Sequence, residues 1–169
     1  MTFANKTMKK HIIGITTAAA LFTWTAVAGE LNWLTDAGKA QQQAKAESKL
    51  VLLDFTGSDW CRWCIKLNKE VFSTPEFAEY AKKHLVLVEV DFPRRKPLGE
   101  DQQRVNKALA QKYGVRGYPT LILLDGAGRK LAALSYEDGL ENKDQTDVNK
   151  LVAKPAPFIA AIEKAAKKP

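Results

Sequence analysis

Cysteine is scarce in this sequence: 169 residues contain two. Two cysteines cannot build a disulfide-dense mini-fold, so stability must come from a packed core. Histidine is equally rare, with two residues, one of them near the N-terminus, which leaves too few ligands for an ordinary Cys/His zinc site. No internal repeat, low-complexity tract or domain linker interrupts the chain. A hydrophobic fraction of 46% beside 27% charged residues argues against disorder, collagen-like repeats and coiled coils. The longest apolar stretch stands at the very start and nothing comparable follows, which excludes a polytopic membrane protein.

That first stretch reads as a targeting segment outside the fold. Lys6, Lys9 and Lys10 form a basic region, Ile12 to Thr25 is apolar with scattered threonines, and Ala26-Val27-Ala28 supplies the small residues of a cleavage site. A signal peptide over residues 1–28 is expected, with a single domain over 29–169, so periplasmic or secreted localisation follows. A membrane anchor or a buried helix suits the segment less well, given its length and threonines. Removing its three lysines leaves 23 basic and 19 acidic residues, a mild +4. A domain of this size buries roughly 68% of its unfolded surface, enough for a core without crosslinks.

Along the remaining chain, Thr35 to Ser48 is rich in helix formers, with Thr35 or Asp36 as the cap. Leu50 to Phe55 and Leu85 to Asp91 are continuous apolar runs of the kind found in strands covered on both faces. Between them the sequence predicts a helix from about Cys61 to Phe72 and a second to about Lys83. Ser73 and Glu76 have capping-box spacing at the start of that second helix. A strand–helix–strand unit of this type is right-handed with parallel strands. Gln102 to Tyr113 reads as a helix stopped by Gly114. Thr120 to Leu124 and Arg129 to Leu134 flank the turn residues of a hairpin, and an amphipathic helix over Pro157 to Lys168 closes the chain. The pattern describes an α/β fold, a central mixed sheet with helices on both faces.

The chemistry concentrates at Trp60-Cys61-Arg62-Trp63-Cys64. Cysteines two residues apart at the first turn of a helix close a small ring with little movement. The first sulfur also feels the positive end of the helix dipole and unsatisfied backbone N–H groups, which favour thiolate. At a pKa of ~8.5 a thiol is about 3% ionised at pH 7, and at ~6.5 about 76%; the shift corresponds to ~2.7 kcal/mol. Arg62 adds positive charge in the same sense. Cys61 is therefore the expected nucleophile and Cys64, one turn deeper and more buried, the resolving thiol. The spacing alone is shared by haem attachment sites, zinc ribbons and structural bridges. Haem attachment needs His where Ile65 stands, zinc has only His84 and carboxylates to add, and a bridge over so short a loop restricts the unfolded chain little.

The run Val51-Leu52-Leu53-Asp54-Phe55, the Trp60–Cys64 segment and Lys112-Tyr113-Gly114-Val115-Arg116-Gly117-Tyr118-Pro119-Thr120 together resemble the thioredoxin superfamily, in particular secreted bacterial thioredoxin-like proteins with a WCxWC site. The resemblance covers roughly Trp33 to Tyr136 and implies the thioredoxin fold. It also implies that Pro119 is the family's cis-proline, which lets the preceding backbone pair with a substrate strand. Asp54 would be the buried acid that relays a proton to the resolving thiol, a carboxyl with a raised pKa; the alternative is a solvated strand end. The implied substrate surface comprises Trp60, Arg62, Trp63, Tyr118 and Pro119. Tyr118 is otherwise a surface aromatic, Trp63 either a platform or a lid over the sulfur, and Trp60 a packing residue supporting the loop.

Three departures stand out. Asp54 lies seven residues before Cys61, one more than in ordinary thioredoxins; Arg62-Trp63 replaces Gly-Pro; and the segment between Asp91 and Lys112 is longer. Arg94-Arg95-Lys96 in that segment reads as a solvated loop with no interleaved aromatic platform, in preference to a site for an acidic partner, lipid or nucleic acid. His84 receives no catalytic role. The expected function is an exported thiol–disulfide oxidoreductase whose Cys61–Cys64 pair exchanges with protein substrates. It needs no dissociable cofactor or metal, draws electrons from a partner protein, and binds neither nucleic acid nor, after cleavage, a membrane. Reductase, oxidase and isomerase directions stay open. The rival readings are a binding or chaperone-like module using the groove around Trp63, Tyr118 and Pro119, and a metal-binding protein.

Overall fold

A computed structural model of the protein describes residues 31–167, together with Met1; the signal-peptide expectation for residues 1–28 lies outside the described residues. Among the described residues five strands form one sheet: β1 (Trp33–Leu34), β2 (Leu50–Thr56), β3 (Leu85–Asp91), β4 (Thr120–Leu124) and β5 (Lys130–Leu134), in the spatial order β1-β3-β2-β4-β5. The first three are parallel, β4 runs antiparallel to β2, and β5 antiparallel to β4. The sheet is mixed, with the parallel β2–β3 pair at its centre. Trp33–Leu34 is an added edge strand that a two-residue length hides from any periodicity.

Side chains alternate across the sheet and so divide the core in two. Leu52, Leu87, Leu121 and Leu123 face one layer with Leu67, Val71, Phe77, Phe158 and Ile162. Those partners come from α2 (Arg62–Leu67), a π-helical turn (Asn68–Phe72), α3 (Pro75–His84) and α5 (Pro155–Ala166). Val51, Leu53, Phe55, Val88 and Val90 face the other, against α1 (Ala37–Glu47) and α4 (Glu100–Tyr113), which supply Ala40, Ala44, Leu109 and Ala110. Most of the central-strand residues are fully buried, each large apolar one contributing about 1.5–3 kcal/mol of transfer free energy. Asp54 and Glu89 interrupt this pattern on the face toward α2.

Local chemistry accounts for the helix ends. Asp36, rather than Thr35, caps α1: its Oδ1 accepts from Gly38 N at 2.8 Å and Lys39 N at 3.0 Å. Gly114, at φ 67°, ends α4 by donating to Ala110 O and Gln111 O. Two expectations are corrected. The helix from Cys61 to Phe72 is not uniform, because its second half widens into the π turn before Ser73. The Ser73–Glu76 capping box does not form: Thr74 Oγ1 caps α3 by accepting from Phe77 N at 3.3 Å, and the Ser73 hydroxyl donates to Asn68 Oδ1. Pro75 sits in the first turn of α3, where its missing N–H costs nothing, and this fixes the cap at the residue before it. The last helix runs over Pro155–Ala166, with Phe158 and Ile162 fully buried and Ile159 half-buried.

Candidate active site

The site is built at the carboxyl end of β2, where the chain leaves the sheet and turns into α2. Cys61 is the N-cap residue, and its Sγ accepts from Cys64 N at 3.2 Å. The two cysteines are joined in a disulfide, with Cα atoms 5.2 Å apart. Cys61 is 7% and Cys64 5% exposed, so both are buried and the expected difference between them is slight. Pro119 immediately precedes β4, whose Thr120 pairs with Phe55 of β2, so the Tyr118–Pro119 peptide lies at the same end of the sheet as the cysteines. That peptide bond is cis.

Asp54 is a buried acid, 8% exposed, and not a solvated strand end. Its Oδ1 has no hydrogen-bond partner among the described residues. It lines a cleft of about 250 Å³ with Thr56, Ser58, Cys64, Asn68 and Glu89, which puts a carboxyl and the second cysteine around one polar space. Glu89 is its register partner across the β2–β3 pair. Burial pushes the Asp54 carboxyl up to about 8, and the charges of Glu89 and Asp91 add to the rise. Glu89 is also raised, by burial and then by Asp91. The sequence reading passed over Glu89, although a glutamate inside an apolar strand run is itself a signal.

The loop between β2 and α2 is tied to the segment after β3. Asp91 accepts from Ser58 N at 2.9 Å and Ser58 Oγ at 2.6 Å, and Trp60 Nε1 donates to Phe92 O at 2.8 Å. The Asp59 carboxylate accepts from Arg94 N at 2.9 Å and Arg95 N at 2.6 Å. Gly57 is required here, since a Cβ would meet the Trp60 indole at 2.6 Å. Tyr118 stacks on Phe92 at 5.2 Å and meets Trp60 edge-on at 5.9 Å, which joins the proline loop to the cysteine loop through three aromatic rings.

Arg94 departs from expectation. Its loop is exposed, as a solvated loop would be, but its guanidinium lies 3.6 Å over the Trp60 ring. The aromatic platform missing from the local sequence is supplied from 34 positions upstream.

On the other side of the cysteines, half-buried Trp63 packs on Tyr136 with centroids 5.0 Å apart, and Arg62 stands over Trp63 at 5.6 Å. One face of Trp63 is therefore occupied from below. Tyr136 opens a 3-10 turn (Tyr136–Gly139) and donates to Glu70 Oε2 at 2.6 Å; Ala153 N donates to the same oxygen at 2.9 Å. Lys66 pairs with the other Glu70 oxygen. Burial works to raise Glu70, but these hydrogen bonds prevail and hold it below the ordinary carboxylate range. Burial and the bond to Glu70 push the Tyr136 phenol well above its usual range. Beyond this knot a strap of residues 140–153, closed by the Leu140–Ala153 bridge, rises beside the site, where Arg62 Nη2 donates to Asn149 Oδ1 at 3.4 Å. Glu70, Tyr136 and the strap were invisible to sequence reasoning.

Comparison with known proteins agrees with this architecture. The Thioredoxin-like domain family model matches residues 37–146. "Disulfide bond reductase DsbH" of Chlamydia pneumoniae is 40% identical over 112 residues, which are 66% of this chain and 67% of that protein. "Thioredoxin-related protein DsbJ" of the same organism is 34% identical over 99 residues, 59% of this chain but only 28% of that protein. A solved structure titled "DsbH Oxidoreductase" superposes with a TM-score of 0.71 at 31% identity, covering 91% of this chain and 96% of that one. No helix among the described residues is long and apolar enough to cross a membrane. With the family pattern running from α1 through the cysteine pair and the cis-proline to the strap, the chain belongs to the thioredoxin-like domain family.

Proposed function

We propose that the protein is an exported thiol–disulfide oxidoreductase that works on protein substrates through Cys61 and Cys64. The observation that carries this reading is the disulfide at the start of α2, with a buried, unpartnered carboxyl facing the same cleft as its second sulfur. In the reducing direction the Cys61 thiolate attacks one sulfur of a client disulfide and the client's other sulfur leaves as thiolate, giving a mixed disulfide. Cys64, losing its proton to Asp54, then attacks Cys61 Sγ. The Cys61–client bond breaks, the Cys61–Cys64 bond forms, and the client departs with two electrons. A dithiol partner returns the pair to its reduced state.

The proton accounting supports the role of Asp54. Burial holds its carboxyl at about 8, so at neutral pH a minority is ionised; that ionised form takes the Cys64 proton as the disulfide closes and then keeps it. In the reduced protein, cap geometry stabilises a Cys61 anion, since Cys64 N already points at its sulfur. The backbone beside Pro119, with Tyr118, Trp60 and Trp63, offers the surface for a client segment. The reductase name of DsbH favours the reducing direction here. Export rests on Lys6 to Ala28 as a signal peptide.

Insulin reduction driven by dithiothreitol tests the reading. The wild-type protein is expected to accelerate it, Cys61→Ser to abolish the acceleration, and Cys64→Ser to accumulate a mixed disulfide. Equal rates for wild type and Cys61→Ser would remove the enzyme and leave a binding module. N-terminal sequencing of periplasmic protein should begin at Gly29; an intact Met1 terminus would refute cleavage.

A further inference from the structure

Both tryptophans that bracket the first cysteine carry an arginine. Arg94 lies 3.6 Å over Trp60, on one side of Cys61 in the chain, and Arg62 lies 5.6 Å from Trp63, on the other. Both arginines are exposed. Neither forms an ion pair among the described residues, where six other pairs are present. Two acids tied into the same loops, Asp59 and Asp91, are engaged elsewhere. The two Asp59 oxygens accept from the backbone N–H groups of Arg94 and Arg95, and those of Asp91 accept from Ser58. Among the described residues Arg62 donates to the neutral amide of Asn149. Arg95 and Lys96, also exposed and without ion pairs among the described residues, extend the positive rim on the Trp60 side.

Stacking determines what such an arginine can do. At 3.6 Å the Trp60 indole covers one face of the Arg94 guanidinium and leaves its N–H groups, which suit a carboxylate in bidentate fashion, without an ion pair among the described residues; Arg62, 5.6 Å from Trp63, is held more loosely. The Trp60 platform is itself held by its bond to Phe92 O. Less orientational freedom is therefore lost when a carboxylate arrives than at a free surface arginine. A mild net charge overall makes this a local feature of the rim.

We infer that Arg94 and Arg62 are carboxylate-recognition groups, and that the preferred clients are protein segments with Asp or Glu within a few residues of the reacting cysteine. This deepens the thiol-exchange reading and rests on it. The arginines act on encounter and orientation; the positive charge that Arg62 also lends the Cys61 thiolate is common to every client and cancels in a ratio between clients.

Three short peptides closed by an internal disulfide test the inference, alike except that Asp, Ser or Lys flanks the cysteines. Second-order rates of their reduction by the reduced protein are followed by tryptophan fluorescence at 50 mM and 500 mM salt. Each rate is divided by that of the same peptide with dithiothreitol, to remove the effect of flanking charge on the peptide's own sulfurs. The normalised Asp/Ser rate ratio is expected to be about tenfold at low salt, with Lys below Ser, and to collapse toward one at high salt. Arg94→Gln and Arg62→Gln should each cut the low-salt ratio severalfold. A ratio near one in the wild type overturns the inference, as does a ratio unchanged in both variants. Failure to reduce any peptide refutes the exchange reading itself, a result distinct from equal reduction of all three.

Discussion

Replacing Asp54 by Asn should make the oxidised protein more stable, by an amount that grows with pH. In the folded protein burial lifts this carboxyl from an ordinary 3.8 to about 8, whereas in the unfolded chain it returns to the ordinary value. Between those limits the unfolded chain ionises while the folded one keeps its proton, and each pH unit costs about 1.4 kcal/mol of stability. The contribution of Asp54 is thus fully present below about pH 4 and lost as pH rises toward 8. The accumulated penalty is on the order of 4 kcal/mol at pH 7 and levels off just above pH 8. Asn keeps the shape and never ionises, but it buries an amide where Oδ1 already lacks a partner, at a cost of about 1–3 kcal/mol. A net gain of about 2 kcal/mol at pH 7 is expected, shrinking to nothing or reversing near pH 4. Urea unfolding of both proteins at pH 4.5, 7 and 8.5 measures this. Parallel stability-against-pH curves would refute the buried-acid account, because the difference in slope does not depend on the amide penalty. The stabilised variant should nonetheless resolve its mixed disulfide more slowly, as expected where a site accepts strain for function.

Two further changes probe the scaffold around the cysteines. Gly57→Ala forces a methyl against the Trp60 ring, so it should cost about 1–3 kcal/mol and break the indole bond to Phe92. A red-shifted tryptophan emission and a lower urea midpoint are the expected signs; unchanged spectra and midpoint would contradict the close approach. Glu70→Ala removes the common acceptor of Tyr136, Ala153 and Lys66 and should cost about 2–4 kcal/mol. The Ala153 amide, left with the Tyr136 hydroxyl at 3.0 Å as its acceptor, should then exchange its hydrogen faster, and undiminished protection there would show that the hydroxyl alone holds the strap.

What could be read from the chain, and what could not, follows from the range over which each signal acts. The apolar runs Leu50–Thr56 and Leu85–Asp91 announce buried parallel strands because both their faces are covered, and the hairpin turn announces β4 and β5 through its own residues. The cysteine pair is legible for the same reason: its spacing and helix-start position lie within one stretch of chain. At Ser73 two local signals compete, and Pro75 in the first turn selects Thr74 as the cap over the Ser73–Glu76 spacing. Trp33–Leu34 pairs with only two residues of β3, too few to show a period. Glu70 looks like any exposed helical acid until Tyr136, 66 positions later, folds over it. Arg94 likewise reads as loop charge until the fold lays it on Trp60.

The bonds from Ser58, Asp59 and Trp60 to Asp91, Phe92, Arg94 and Arg95 carry a lesson for anyone exchanging parts between relatives. Grafting the redox pentapeptide alone into another scaffold would strand its indole and aspartate without their counterparts. The transferable unit is two stretches of polypeptide, some thirty positions apart, that must travel together to keep the sulfur's cradle intact.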